Sequence, residues 1–155
     1  EPLDFLLTYP ESWKLQLDPQ SGERALSLDL LNVVKDHVVG TIMIIAAPSE
    51  RATAELMRDR IWGELSTQGY TGELRAFAPV TPTAAFAPRF ELIAPILRHD
   101  VPHELRMSVA TVADTTLLVA LVGPARATDG RPWAINKRAY RLVLERFVTN
   151  QSEKP

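Results

Sequence analysis

The sequence predicts an α+β fold: an antiparallel β-sheet of about six to eight strands flanked by two main helices. Three observations carry that prediction. Stretches that alternate apolar and polar residues come in adjacent groups separated by short turns, so consecutive strands can pair antiparallel. Two stretches, Val38 to Ala47 and Leu117 to Val122, are apolar on both faces and read as central strands covered on both sides. Two longer stretches carry apolar residues at spacings of three and four, the period of a helix with one buried stripe.

The elements follow in order. Phe5-Leu6-Leu7-Thr8-Tyr9 is a short apolar run stopped by Pro10. Ser12 to Leu17 alternates, as a strand with one buried face does, and Asp18-Pro19-Gln20-Ser21-Gly22-Glu23 is a turn. Ala25 to Leu31 alternates again through Leu26, Leu28 and Leu30, and Lys35-Asp36-His37 separates it from the strand Val38 to Ala47. The period then changes. Pro48-Ser49-Glu50 resembles a helix start with Ser49 as N-cap. Ala54, Met57, Ile61 and Leu65 form the stripe of a helix of about 16–18 residues, and Gly69 is its stop.

Strand patterns return at Glu73 to Ala78 and at Phe90, Leu92, Ala94 and Ile96, where Pro95 places the strand near an edge or bulge. Leu105, Met107 and Val109 mark the next strand, Ala113-Asp114-Thr115 a turn, and Leu117 to Val122 the last long strand, ended by Gly123-Pro124. After the loop Asp129-Gly130-Arg131-Pro132, a second helix runs from about Trp133 to Thr149 with Tyr140, Val143 and Phe147 as its stripe. The expected order is four strands, a helix, about four strands and a helix. Residues 1–150 read as one domain and 151–155 as a polar tail.

Composition narrows the function. The chain has 155 residues, 46% of them hydrophobic and 23% charged, so it can bury a core and lacks the signature of disorder. With no cysteine, disulfides, thiolate catalysis, zinc–cysteine sites and iron–sulfur clusters are excluded. The net charge of −2 argues against a nucleic-acid partner, which calls for a basic excess. No apolar run is long enough for a membrane helix. Charge is unevenly spread: residues 126–155 hold seven basic and three acidic side chains. On the second helix Lys137, Arg138 and Arg141 lie away from the apolar stripe. They are either a solvated face or a contact for an acidic partner or anionic surface.

No motif of catalysis is present: no G-x-S-x-G, no G-x-G-x-x-G and no Walker A loop. His103-Glu104 begins like H-E-x-x-H, but Met107 stands where the second histidine belongs. His99 and His103 flank Asp100-Val101-Pro102, which reads as a hairpin connection, and Arg98, Asp100, Glu104 and Arg106 surround it. A charged, solvated turn is the simpler reading. A polar site for a metal or an anion is the sharper one, though two histidines are too few for zinc. No metal and no cofactor are expected. Trp62 sits on the shoulder of the first helix's stripe, and Trp133 opens the second helix. Each is either a half-buried packing residue or the rim of a binding site.

One pattern goes beyond composition. Phe5-Leu6-Leu7-Thr8-Tyr9-Pro10-Glu11-Ser12-Trp13 resembles the opening of PsbP/Mog-type (PsbP-like, DcrB-like) domains, a short strand followed by P-x-x-W and a second strand. Ser12 departs from the glycine common before that tryptophan. The closing section is similar too: the strand Leu117 to Val122, a proline-bearing loop and a helix ending in Phe147. The resemblance implies an α/β/α sandwich and a class of domains that bind proteins, lipids or apolar helices and are not generally enzymes. A shared fold carries over no site residue.

Three functional readings follow. The first is a non-catalytic binding or adaptor domain that engages a protein partner, with Trp62, Trp133, Arg138 and Arg141 as candidate contacts. The second is a chaperone or carrier for a lipid or apolar helix, held in a pocket lined by Trp62 and Trp133. The third is a small enzyme or metal-binding protein using the turn from Arg98 to Arg106, with Arg98, His99 and His103 as its candidate residues. The chain opens at Glu1 without Met, which is compatible with a trimmed export signal. The expected location is the periplasm or cell envelope, as a lipoprotein among other forms, with the cytoplasm as the alternative.

Overall fold

The computed structural model describes residues 5–18, 26–80, 90–112, 114–146 and 148–149. The elements are β1 (Phe5–Leu6), β2 (Lys14–Leu17), β3 (Leu26–Val34), β4 (His37–Pro48), α1 (Ala54–Thr67), β5 (Tyr70–Thr71), β6 (Ala78–Pro79), β7 (Phe90–Arg98), β8 (Val101–Val112), β9 (Thr115–Pro124), α2 (Gly130–Arg146) and β10 (Val148–Thr149). Among the described residues eight strands form one antiparallel sheet in the order β2-β3-β4-β9-β8-β7-β5, with β6 also pairing with β7. β1 and β10 pair with each other apart from it.

The two stretches apolar on both faces become β4 and β9, neighbours at the centre of the sheet, with Ile44 opposite Val119. Their alternate side chains supply two separate cores. Met43 and Ile45 of β4 and Leu118 and Ala120 of β9 meet Met57, Ile61 and Leu65 of α1. Ile42, Ile44, Leu117 and Val119 point the other way, to Ala139, Tyr140 and Val143 of α2. The result is the α/β/α sandwich. A slip of one residue in either central strand would exchange the two cores, so burial on both faces specifies the register.

Two hairpins hold the strands in sequence. The β3–β4 turn, Lys35-Asp36 (φ 49° and 63°), and the β7–β8 turn, His99-Asp100 (φ 50° and 63°), both place two residues in the left-handed region. The twist of such two-residue turns matches that of the flanking strands. Pro95 sits between the short stretches where β5 and β6 pair with the outer side of β7, as a residue without an N–H should.

Five expectations are corrected. β2 has no buried face: Lys14 to Leu17 are all exposed, because β2 is the outermost strand of the sheet among the described residues. α1 begins at Ala54 with Thr53 as N-cap, its Oγ1 accepting from the Leu56 N–H at 3.2 Å, and is 14 residues long. Ser49 is instead tied to β9, its hydroxyl 2.7 Å from that of Thr116. Glu73 to Phe77 form no strand; the two-residue β5 and β6 flank them. The chain leaves the sheet edge at Gly72, whose φ of +143° is not a strand conformation. The Arg98–His103 connection is shorter than expected, since Val101 and Pro102 already belong to β8. α2 starts three residues early and stops at Arg146, because Val148 and Thr149 leave the helix to pair with β1. Phe147, the turn at 19–23 and the tail at 151–155 lie outside the described residues.

One polar contact sets how α2 lies on the sheet. Asn136 is 2% exposed. Its Nδ2 donates to the Val39 carbonyl at 2.8 Å, and its Oδ1 accepts from Asn32 Nδ2 at 2.9 Å. It rests directly on Gly40 of β4 and Gly123 of β9. A Cβ on either glycine would come within 2.3 Å and 2.7 Å of the Asn136 side chain. Glycine is present here for close approach, and the buried amide keeps its hydrogen bonds.

Candidate functional site

On the α2 side, the helix leaves part of β7 and β8 uncovered. β8 alternates, so Leu105, Met107 and Val109 enter the α1 core while Glu104, Arg106 and Ser108 face α2. A groove of about 170 Å³ results, walled by Glu91, Arg106, Lys137, Tyr140, Arg141 and Leu144. Its base is rigid. The Tyr140 hydroxyl donates to the Val119 carbonyl at 3.3 Å and shares a hydrogen bond with the Ser108 hydroxyl. Burial pushes the Tyr140 phenol far above its ordinary value, the Ser108 bond opposing, so it stays protonated and acts as a structural donor.

Trp133 closes one end of this surface. Its Nε1 donates to Glu104 Oε2 at 2.8 Å, and Glu104 Oε1 pairs with Arg106 Nε at 2.6 Å. Arg126 and Lys137 lie over its ring, at 5.6 Å and 4.9 Å from the centroid. Among the described residues no carboxylate pairs with Lys137, Arg138 or Arg141. Arg141 lines the groove, and Arg138 is exposed on the same helix outside it.

On the opposite face, α1 leaves the β3 side of the sheet open. A second groove, of about 330 Å³, has a floor of Leu31, Met43 and Val122 and is flanked by Asp29, Glu64 and Arg98. The Arg98 guanidinium stands over the Tyr70 ring at 5.1 Å, and His103 meets the same ring edge-on at 5.5 Å. His103 Nδ1 is 2.9 Å from the Val101 carbonyl and donates to it. Burial, with the charges of Glu64 and Asp18 added, raises the Asp29 carboxyl from about 3.8 to about 6. Arg60 lies between two of these acids, 3.7 Å from Asp18 and 3.8 Å from Glu64.

The sequence-derived candidates are therefore divided. Trp133 and Arg141 share the α2 surface, linked through Lys137. Arg98 and His103 share the α1 groove through Tyr70. His99 does not join them: it forms the tip of the β7–β8 hairpin, beside Gly69. Trp62 packs half-buried on the α1 core, so Trp62 and Trp133 lie on opposite faces and do not rim one pocket. Arg106 was read with the 98–106 turn, but it joins the α2 surface instead; Tyr140, Asp29 and Glu64 were not visible as site residues. Gly40 and Gly123 were the available signal for Asn136, since a glycine in or ending an apolar strand marks a close approach. Among the described residues no three His, Asp and Glu side chains are grouped to hold a metal ion.

Comparison with known proteins places the fold. No family model and no curated protein matches the chain. Its structure is similar to the solution structure of cyanobacterial PsbP (CyanoP) from Synechocystis sp. PCC 6803, with a TM-score of 0.58 and 14% identity over 95% of this chain and 92% of that one. It is also similar to LpqN, involved in cell envelope biogenesis of Mycobacterium tuberculosis, with a TM-score of 0.51 and 12% identity over 95% of this chain and 83% of that one. At these identities the likeness is one of fold, and the fold is the PsbP-like α/β/α sandwich.

Proposed function

We propose that this protein is a non-catalytic binding domain of the cell envelope, and that the α2 face engages an acidic segment of a protein partner. The observation that carries this reading is the convergence of Arg106, Lys137 and Arg141 on one groove beside Trp133. The groove also holds Glu91, and Glu104 is committed to Trp133 and Arg106, so the surplus charge is positive. Lys137 and Arg141, which pair with no carboxylate among the described residues, attract a partner's carboxylates and orient it, and a half-buried tryptophan supplies contact area at little entropic cost. The envelope location is supported by the fold shared with LpqN. A binding role is supported by the chemistry of the α2 side, whose one buried hydroxyl pair, Tyr140 and Ser108, is locked into the core rather than activated.

A labelled peptide rich in glutamate and leucine, followed by fluorescence anisotropy, tests the reading. Binding is expected, weakening as salt is added. It should fall by roughly a hundredfold in the variant carrying Lys137→Glu, Arg138→Glu and Arg141→Glu, with an unchanged circular dichroism spectrum. No binding by the native protein, or equal binding by the variant, would overturn it.

A further inference from the structure

We propose that β2 is a dimerisation edge, pairing antiparallel with β2 of a second copy of this chain so that two sheets become one. The two ends of the sheet are built differently. At the β7 end the outer pairing is broken, among the described residues, into two two-residue strands separated by Gly72 and facing Pro95. At the other end β2 is a regular strand with no proline, and its pairing with β3 runs without a shift from Lys14 to Leu17. Among the described residues no further strand pairs with β2, and a regular, open edge is a template for another strand.

The backbone fixes which groups are offered. The Asp18 N–H donates to the Ser27 carbonyl at 2.9 Å, so the even-numbered residues of β2 bond to β3. By alternation Leu15 and Leu17 direct their N–H and C=O groups outward. Their side chains lie on the α2 face, opposite Leu30 and Leu28 of the core, yet are 50% and 58% exposed. A two-fold axis at Gln16 sets Leu15 against Leu17 of the second copy, in two hydrogen-bonded pairs. The same axis sets Lys14 against Asp18 in both directions, so the edge is complementary to itself in charge as well as in shape. Asp18 also lies 3.7 Å from Arg60, and that contact sits beside the new one. The four leucines would extend the apolar layer of the α2 core across the axis.

Sedimentation velocity over a wide range of protein concentration tests this. The expected mass rises from 17.3 kDa toward twice that value. Both leucines are exposed, so Leu15→Lys with Leu17→Lys should keep the native circular dichroism spectrum and the monomer mass at every concentration. Lys14→Glu places like charges opposite Asp18 and should weaken the dimer roughly tenfold. Adding Asp18→Lys to it should restore the dimer. A mass of 17.3 kDa at all concentrations, or a dimer indifferent to both sets of substitutions, would overturn the proposal.

Discussion

α1 and α2 cover opposite faces of one sheet and are held there by different means. α1 meets its face through the stripe Met57, Ile61 and Leu65. α2 adds to its own apolar stripe a buried amide seated on Gly40 and Gly123, and a phenol bonded to Ser108 and Val119. Apolar contact is non-directional, so it stabilises a helix without dictating where along the sheet it lies. A buried polar group must find its partners, and that requirement selects one placement. The face with the polar contact carries a narrow groove of defined charge, and the other a wide one beside a carboxyl that burial raises to about 6.

Three substitutions break or sharpen this contrast. The largest effect is expected on the apolar side. Ile61 is 0% exposed, and Ile61→Ala should lower unfolding free energy in urea by about 4 kcal/mol, through lost burial and the cavity left behind. A loss under about 1 kcal/mol would mean that the α1 stripe contributes little packing.

Gly40→Ala comes next. The new methyl would overlap Asn136, and the expected loss is about 3 kcal/mol. The same substitution made in an Asn136→Ala background should be much milder, because the clash is with that side chain. Equal losses in the two backgrounds would show that Asn136 is not what Gly40 accommodates.

The smallest effect concerns Asp29, whose carboxyl is raised to about 6. A carboxyl raised in the folded state binds its proton more tightly there than when unfolded. Its contribution to stability is therefore greatest below about pH 4 and declines as pH rises to about 6. Asp29→Asn should stabilise the protein by about 1 kcal/mol at neutral pH, a figure discounted for the partial exposure of the group, and give no gain at pH 4. Thermal melts at the two pH values measure the difference, and an equal shift at both would contradict the assignment.

Much of the fold was legible because its signals are local. The double-faced hydrophobicity of Val38 to Ala47 and Leu117 to Val122 identified the central strands, and the spacing of Met57, Ile61 and Leu65 identified α1. The cap was less legible. Ser49 and Thr53 are both chemically able to start a helix, and Ser49 was withdrawn by Thr116, a residue 67 positions away. The α2 surface was half legible: Lys137, Arg138 and Arg141 stood out as a basic run, whereas Arg106 was grouped with the 98–106 turn, since a strand pattern does not show which helix its side chain faces. Trp62 and Trp133 look alike as helix-edge tryptophans, and only packing shows that they sit on opposite faces.

The sequence by itself determined the two central strands, the apolar stripes of both helices, and that the chain builds a sheet with helices on both sides. Those features follow from periodicity and side-chain chemistry read within a dozen residues. The tertiary structure decided the rest: that Asn136 stands on two glycines from separate strands, that Arg106 joins Lys137 and Arg141, and that Asp29 is crowded by Glu64. Each is a contact between segments distant in the chain, and its strength depends on separation and burial, quantities that exist only once the sheet has closed.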